Sequence, residues 1–479
     1  MNKSLFVLCC FLATFSQAQI TYQEHLIIGT GEYAPSSNWH ALLQFDRADT
    51  MHSTAGNIQY NPSSTIPIRQ CVDNGVNLNF AHGFYHRSSS DELYVATIFT
   101  NAANILTTNP DTAVGSIAVF DDIRTLNGAQ VPSRHIFGDS TQLKQPHGCW
   151  VDESRDLLYV ANTFGESVLI FHQANSVNGN KVPNQVIPIS GRPVYVYVDE
   201  QTDRLFVAVM PNGMPGVDPK VEIFNNASML NGAVAPNIRI SGSNTRFNIG
   251  NMTTHNVWFR ADKQMLAVGH HTNELLLFDL STLNWSSAPT QNYNLSPKVV
   301  YVVDTALGIH PNDINLYGFY WDVEFDRMYC SVGIDNPGGG PMPGSPPSSI
   351  KIFDNISDPL TVGVVTASRE IMWGNANTYY PPQPIWLIKT QVTANKVAAE
   401  RIDWKIYPQP SRDILFVDFG TAQAEPINWQ LINSLGQVLD LGQCTESILE
   451  INIKPLSPGR YFLEIQNQQR KQTSPIIIH

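Results

Sequence analysis

Charge is scarce in this chain: only 15% of its 479 residues are Asp, Glu, Lys or Arg, against a usual share of about 25%. What charge there is runs acidic, with a net of −12. That excludes a nucleic-acid binder, whose affinity would rest on Lys and Arg. Hydrophobic residues reach 43%, enough to bury a core, so general disorder is excluded as well. Long apolar runs are missing beyond the first residues, and no stretch of the mature chain approaches the ~20 apolar residues of a membrane-spanning helix. No C-x-x-C occurs, which removes zinc knuckles and redox dithiols. There is no G-x-S-x-G elbow, no H-E-x-x-H and no phosphate-binding loop. Sustained helical periodicity is absent too.

The leader is the first positive feature. Lys3, the run LFVLCCFLATF and the small-residue ending Ser16, Gln17, Ala18 make residues 1–18 a secretory signal, with cleavage before Gln19. Leu8 stands before Cys9 where a lipoprotein signal wants a small residue, so that reading is rejected. Removing the leader leaves four cysteines, Cys71, Cys149, Cys330 and Cys444, with three possible pairings. Cys149 and Cys330 lie inside apolar runs, where a buried free thiol is expected.

From residue 19 to 390 the chain is a succession of short Val-, Ile-, Tyr- and Phe-rich runs broken by Asn, Gly, Asp, Ser and Pro, which read as strands and turns. One unit, HGCWVDESRDLLYVANTFGESVLIFHQANSVNGNKVP, recurs with variations. Phe45, Phe120, Phe171, Phe224, Phe278 and Phe353 mark the third strand of six units, and an N-G…P segment leads to a fourth. Repeated units of four strands, about 40–50 residues each, predict a β-propeller of six blades, with five or seven as alternatives. A single twisted sheet cannot cover both its faces, and radial stacking solves that. The stretch 362–390 is expected to complete the ring with the N-terminal ITYQEHLIIG. These repeats resemble the NHL-type propellers, whose units carry a Y-V-A-[ND] strand and a strand ending in phenylalanine. Function does not follow from such a fold.

After a polar linker at 391–402, residues 403–479 hold six or seven short strands, predicting a small immunoglobulin-like β-sandwich. Tyr407, Pro408 and Pro410, then Leu435 and Gly436, then Leu456, Pro458, Gly459, Tyr461 and Leu463 resemble the motifs of the C-terminal sorting domain of Bacteroidota type IX secretion cargo. The usual Asn of the opening motif is Gln409 here. The resemblance implies the type IX machinery as a partner. It also implies passage through the periplasm and release or attachment at the outer-membrane surface, often with removal of this domain.

Aligning the units puts His82, His147 and His255 at one position, the entry of a blade's first strand, where Val194 stands in another unit. Three imidazoles converging on an axis could hold a divalent metal, zinc or calcium, with an open site for water. The amidating lyases of peptide processing look similar in holding a zinc by histidines at a propeller channel. The plainer reading has the histidines lining a wet channel, with Gly83 and Gly148 allowing close backbone packing. His270 and His271 are expected in a solvent-facing turn. Asp152, Asp199 and Asp322 read as turn formers. The Gly-, Pro- and Ser-rich 333–349 reads as a long loop, and Tyr379, Tyr380, Pro381, Pro382 and Pro384 as an aromatic and proline cluster. The function expected is an exported binding or scaffold module for a protein, peptide or glycan ligand. A metal-dependent lyase or hydrolase is the alternative.

Overall fold

The computed structural model describes residues 21–30, 41–51, 59–73, 76–78, 80–97, 114–214, 216–248, 254–270, 272–286, 290–302, 314–334, 349–373, 382–392, 405–408, 410–420, 427–433, 438–466 and 471–478. Residues 1–18, read above as a leader, most of the stretch 333–349 read as a loop, Tyr379 to Pro381, His271, Leu435 and Gly436 lie outside the described residues. The chain divides into two compact units, 1–392 and 393–479. The last strand of the first unit, Pro382–Val392, runs two residues into the stretch read as linker.

Among the described residues the first unit holds six sheets of four or five strands and a two-stranded ladder, Val72–Asp73 with Val76–Asn77. Each landmark phenylalanine sits on the third strand of its own sheet and faces a second-strand Leu or Met. The pairs are Phe45 with Leu26, Phe120 with Leu93, Phe171 with Leu158, Phe224 with Leu205, Phe278 with Leu266, and Phe353 with Met328. All six phenylalanines are buried. The hairpin joining first and second strands turns on a left-handed residue in five sheets: Asp91, Asp156, Asp203, Gln264 and Asp326. Asp tolerates that conformation because its short polar side chain bonds locally. Here the carboxylate also reaches across the sheet: Asp203 accepts from the N–H of Ser228, 25 residues on, at 2.9 Å.

The sheets close into a ring. Their first strands, Ala81–Arg87, Pro146–Asp152, Arg192–Asp199, Thr254–Arg260, Ile314–Asp322 and Pro382–Val392, contact one another in that cyclic order. The closing sheet is built from both ends of the unit: Pro382–Val392 pairs antiparallel with Thr21–Thr30, with His25 opposite Ile388. Of the stretch 362–390 only the end does this; Gly363–Val364 and Arg369–Trp373 belong to two other sheets.

At the outer edge, each unit reaches back to the fourth strand of the sheet before it, by one of two devices. In three junctions an Asn-Gly pair does this. The Gly128, Gly179 and Gly232 N–H groups donate to the carbonyls of Thr65, His135 and Val186. The preceding Asn127, Asn178 and Asn231 side chains accept from the N–H groups of the same three residues. Each glycine has φ between 74° and 76°, a region where a Cβ is costly. The other three junctions use a short parallel strand instead: Gln291–Tyr293 on Ile238–Ile240, Gly363–Val364 on Val300–Tyr301, and Gln59–Tyr60 on Met372–Trp373. Replacing Asn178 by alanine removes one such bond and leaves the His135 N–H unmet. Chemical denaturation should show a loss of about 1–2 kcal/mol.

Among the described residues the second unit has seven strands in two sheets. Lys405–Tyr407, Ile414–Asp418 and Ile448–Asn452 form one; Ile427–Asn433, Val438–Cys444, Gly459–Gln466 and Lys471–Ile478 form the other. Leu415, Val417, Leu431, Ile451, Leu463 and Ile476 fill the core between them. The four cysteines among the described residues, Cys71, Cys149, Cys330 and Cys444, are buried free thiols. Burial pushes Cys149 up to about 12, so it is an inert thiol.

Candidate functional site

The first strand of every sheet carries the same irregularity. Pairing slips at His82, at His147–Gly148, at Val194, at His255–Asn256, at Tyr317 and at Gln383–Pro384. A bulge sets two residues against one. It therefore changes which face of a strand a side chain takes, since faces otherwise alternate. In the first, second and fourth units of the alignment the bulged residue is the histidine, which is why the three histidines are equivalent.

The structure brings the three together. The rings of His82 and His147 stack, with centroids 4.2 Å apart and planes 20° from parallel; His147 and His255 lie 6.3 Å apart. Imidazole lone pairs lie in the ring plane, so stacked rings present them side by side and not toward one ion. Among the described residues no three His, Cys, Asp or Glu side chains are grouped to hold a metal ion. His255 Nδ1 instead bonds Asn256 Oδ1 at 2.8 Å. The His147 ring is partly reached by solvent, yet both its nitrogens are buried without a hydrogen-bond partner. Burial, helped by the charges of His255 and Arg192, pushes its pKa down to about 3.

The glycines after two of these histidines serve close packing. A Cβ on Gly83 would lie 2.3 Å from the His147 carbonyl oxygen, and one on Gly148 2.9 Å from the Tyr195 Cα. His270 departs from expectation: it ends the strand Met265–His270 fully buried, its Nδ1 bonding Thr272 Oγ1 and its Nε2 the Phe247 carbonyl. A buried imidazole satisfied at both nitrogens is a packing element, not a surface turn.

Three residues beyond each bulge comes an aromatic that sequence reasoning missed. Tyr85, Trp150, Tyr197, Trp258, Tyr320 and Trp386, one from each sheet, meet at the axis. Neighbours around the ring have centroids 4.6 to 5.6 Å apart. Tyrosine and tryptophan alternate. The three tryptophans also touch across the axis at 5.3, 5.8 and 5.9 Å. Edge-to-face and tilted contacts at such distances are favourable for aromatic quadrupoles. Rings this close leave no water-sized gap between them, so the channel is blocked at its middle. The signal was present three residues on from each aligned position, in HGFY, HGCW, VYVY, HNVW, YGFY and QPIW.

Two residues past the aromatics the strands end in charge: Arg87, Asp152, Asp199, Arg260 and Asp322. Most are paired. Arg155 bonds Asp152 at 2.8 Å, Lys389 bonds Asp322 at 2.6 Å and Glu324 at 2.7 Å, and Arg260 bonds Asp262 at 2.8 Å and also Asp326. The Tyr85 hydroxyl donates to Glu153 at 3.1 Å, and burial raises its pKa well above the ordinary value. Asp152, Asp199 and Asp322 thus keep their turn role in part: Asp152 accepts from the Arg155 N–H and Asp199 from the Thr202 hydroxyl. On this side a cavity of about 480 Å³ opens, with Trp150 and Tyr197 in its lining beside Asp199, Glu200, Phe259 and Arg260. The axis therefore has a histidine end and a carboxylate end, separated by the aromatic layer.

A closed ring of four- and five-stranded sheets around an axis defines an all-β, propeller-like protein. Residues 405–479 match the family model of the secretion system C-terminal sorting domain. The chain is accordingly a protein exported through type IX secretion, and it is secreted or attached at the cell surface. No helix of the described residues is long and apolar enough to cross a membrane. No curated protein matches the chain. Among solved structures it is similar to PorZ, a surface component of the type IX secretion system of Porphyromonas gingivalis, at 11% identity and a TM-score of 0.36, over 95% of this chain and 65% of that one. It is also similar to a Lactobacillus plantarum protein at 13% identity and a TM-score of 0.42, over 90% of this chain and 99% of that one. A nidogen–laminin complex chain follows at 10% and 0.40, over 76% and 98%.

Of the motif residues read for sorting, Tyr407 stacks on Phe416 at 5.7 Å and is part exposed. Pro408 and Pro410 follow its strand. Tyr461 is buried in the small core, its hydroxyl donating to the Ser457 carbonyl at 2.8 Å. Gly459 opens the same strand, and a Cβ there would meet nothing closer than 3.6 Å.

Proposed function

We propose that this protein is a six-bladed, NHL-like propeller of a Bacteroidota bacterium that works at the cell surface as a binding or scaffold module. Residues 1–18 serve as the secretory signal and Tyr407, Pro408, Pro410, Gly436, Gly459 and Tyr461 as part of the sorting signal. The observation that carries the reading is the match of residues 405–479 to a sorting domain, joined to a propeller-like unit whose axis is filled. A filled axis makes a rigid hub and leaves the ends of the first strands, not a through-channel, to meet a ligand. The histidines are the wall of one end and the aromatic and carboxylate cavity is the other.

Delivery is tested in a bacterium with a type IX system by expressing the full chain and a version ending at Val392, then fractionating the cells. The full chain should reach the surface or medium, and the shortened one should stay in the periplasm. Equal export of both, or retention of the full chain in the cytoplasm, would contradict the reading.

A further inference from the structure

We propose that the cavity over Trp150 and Tyr197 is a binding site for an alkylammonium group, with Asp199 and Glu200 as its counter-charges. This deepens the reading of the protein as a binding module. Four features of the cavity point the same way. It is concave and of a size, about 480 Å³, that suits a small molecule or one peptide side chain. Its lining joins aromatic rings to carboxylates, the pairing that recognises organic cations through ring faces and ion pairs together.

The charge balance is the third feature. The acids around this end of the axis each have a cationic partner in Arg155, Lys389, Arg260 or Arg87, but Asp199 and Glu200 have no ion pair among the described residues. Asp199 is only 6% exposed, and its one side-chain bond comes from the Thr202 hydroxyl. Glu200 accepts the Ser154 N–H at 3.1 Å and lies against the Asp152 carboxylate, which brings no positive charge. A buried carboxylate without a counter-ion is costly, and Glu200 shows that cost as a pKa raised by burial and by the neighbouring Asp152 charge. Arriving positive charge relieves it.

The fourth feature is independent of charge. The Nε1–H of Trp150 has no acceptor although the ring is 7% exposed. Buried donors are almost always met, and in the proposed complex a ligand oxygen is the acceptor for this one. An ammonium carried on a peptide brings such an oxygen in its carbonyl; a free diamine does not.

Calorimetry of the purified full chain tests the site with two cationic probes, cadaverine and Nα-acetyl-lysine N-methylamide, and with the Nε-acetylated form of the second as a neutral control. Both cations should bind at concentrations up to about 10 mM, and the neutral control should not. Tighter binding of the lysine amide than of cadaverine would assign the site to a peptide side chain; the reverse would assign it to free amines. Glu200→Gln keeps the acceptor for Ser154 and should weaken both cations about tenfold with the melting temperature unchanged. Asp199→Asn is the second variant and should do the same. Binding of the neutral control as tightly as the cations, no binding of either cation, or full affinity in both variants would each overturn the proposal. The measurement is made on purified protein, so its failure is separate from a failure of export.

Discussion

Trp150→Ala should lower the stability of the first unit by about 3–5 kcal/mol, the cost of removing a large aromatic from a packed core. The effect is large because Trp150 touches four other rings of the axial layer, as Trp258 and Trp386 also do. It contacts Tyr85, Tyr197, Trp258 and Trp386. The gap left behind cannot collapse, because each surrounding ring is fixed to a strand of a different sheet. Trp150→Phe should cost much less. It keeps most of the ring area and also removes the indole N–H that has no acceptor. Denaturant titrations of the two variants beside the parent chain check the prediction. Equal, small losses for both would mean that the axis is wet and that the rings do not support one another.

Acid should destabilise the protein in a window set by its buried histidines. His147 has its pKa pushed down to about 3 in the folded chain, whereas an unfolded histidine titrates near 6.5. Above pH 6.5 neither state takes the proton and the full stability is present. As pH falls from 6.5 toward 3 the unfolded chain binds a proton that the folded chain refuses, and stability declines. One such group contributes up to about 1.4 kcal/mol per pH unit in that window. The two His147 nitrogens are sealed although part of the ring meets solvent, so the desolvation that drives the shift is local to the titrating atoms. Burial lowers His86, His135 and His270 in the same direction, and they add to the decline. His147→Gln should leave stability at pH 7.5 little changed and flatten its fall between pH 6 and 4. An unchanged slope would mean that His147 is charged in the folded protein.

The repeated sheets were legible because their pattern is written in short-range terms. A Leu or Met on one strand faces a Phe on the next, and both fall at fixed distances within a unit. The equivalence of His82, His147 and His255 was legible for the same reason. Their meaning was not, because it depends on the bulge at each first strand. A bulge leaves no composition signal, yet it decides that a residue three places before the axial aromatic shares its side. The aromatic layer could have been found by reading the same alignment three residues further. Alternation of Tyr and Trp between units hid it from a search for identical residues. The Asn-Gly segments were visible as a motif, but their partners, Thr65, His135 and Val186, lie in the preceding unit. A contact between units is a property of the ring, and no single unit contains it. His270 was misjudged because its satisfaction comes from the Phe247 carbonyl, 23 residues away in sequence. In the second unit the six strands read from alternation are present, and the seventh, Lys471–Ile478, pairs with Gly459–Gln466.

Everything proposed about ligand access depends on the axis being solid. The direct measurement is crystallographic electron density along that axis in the full chain. Interlocked side-chain density from Tyr85, Trp150, Tyr197, Trp258, Tyr320 and Trp386, with water only beyond it at the histidine and carboxylate ends, is the expected result. A continuous column of ordered water through the middle of the ring would contradict it.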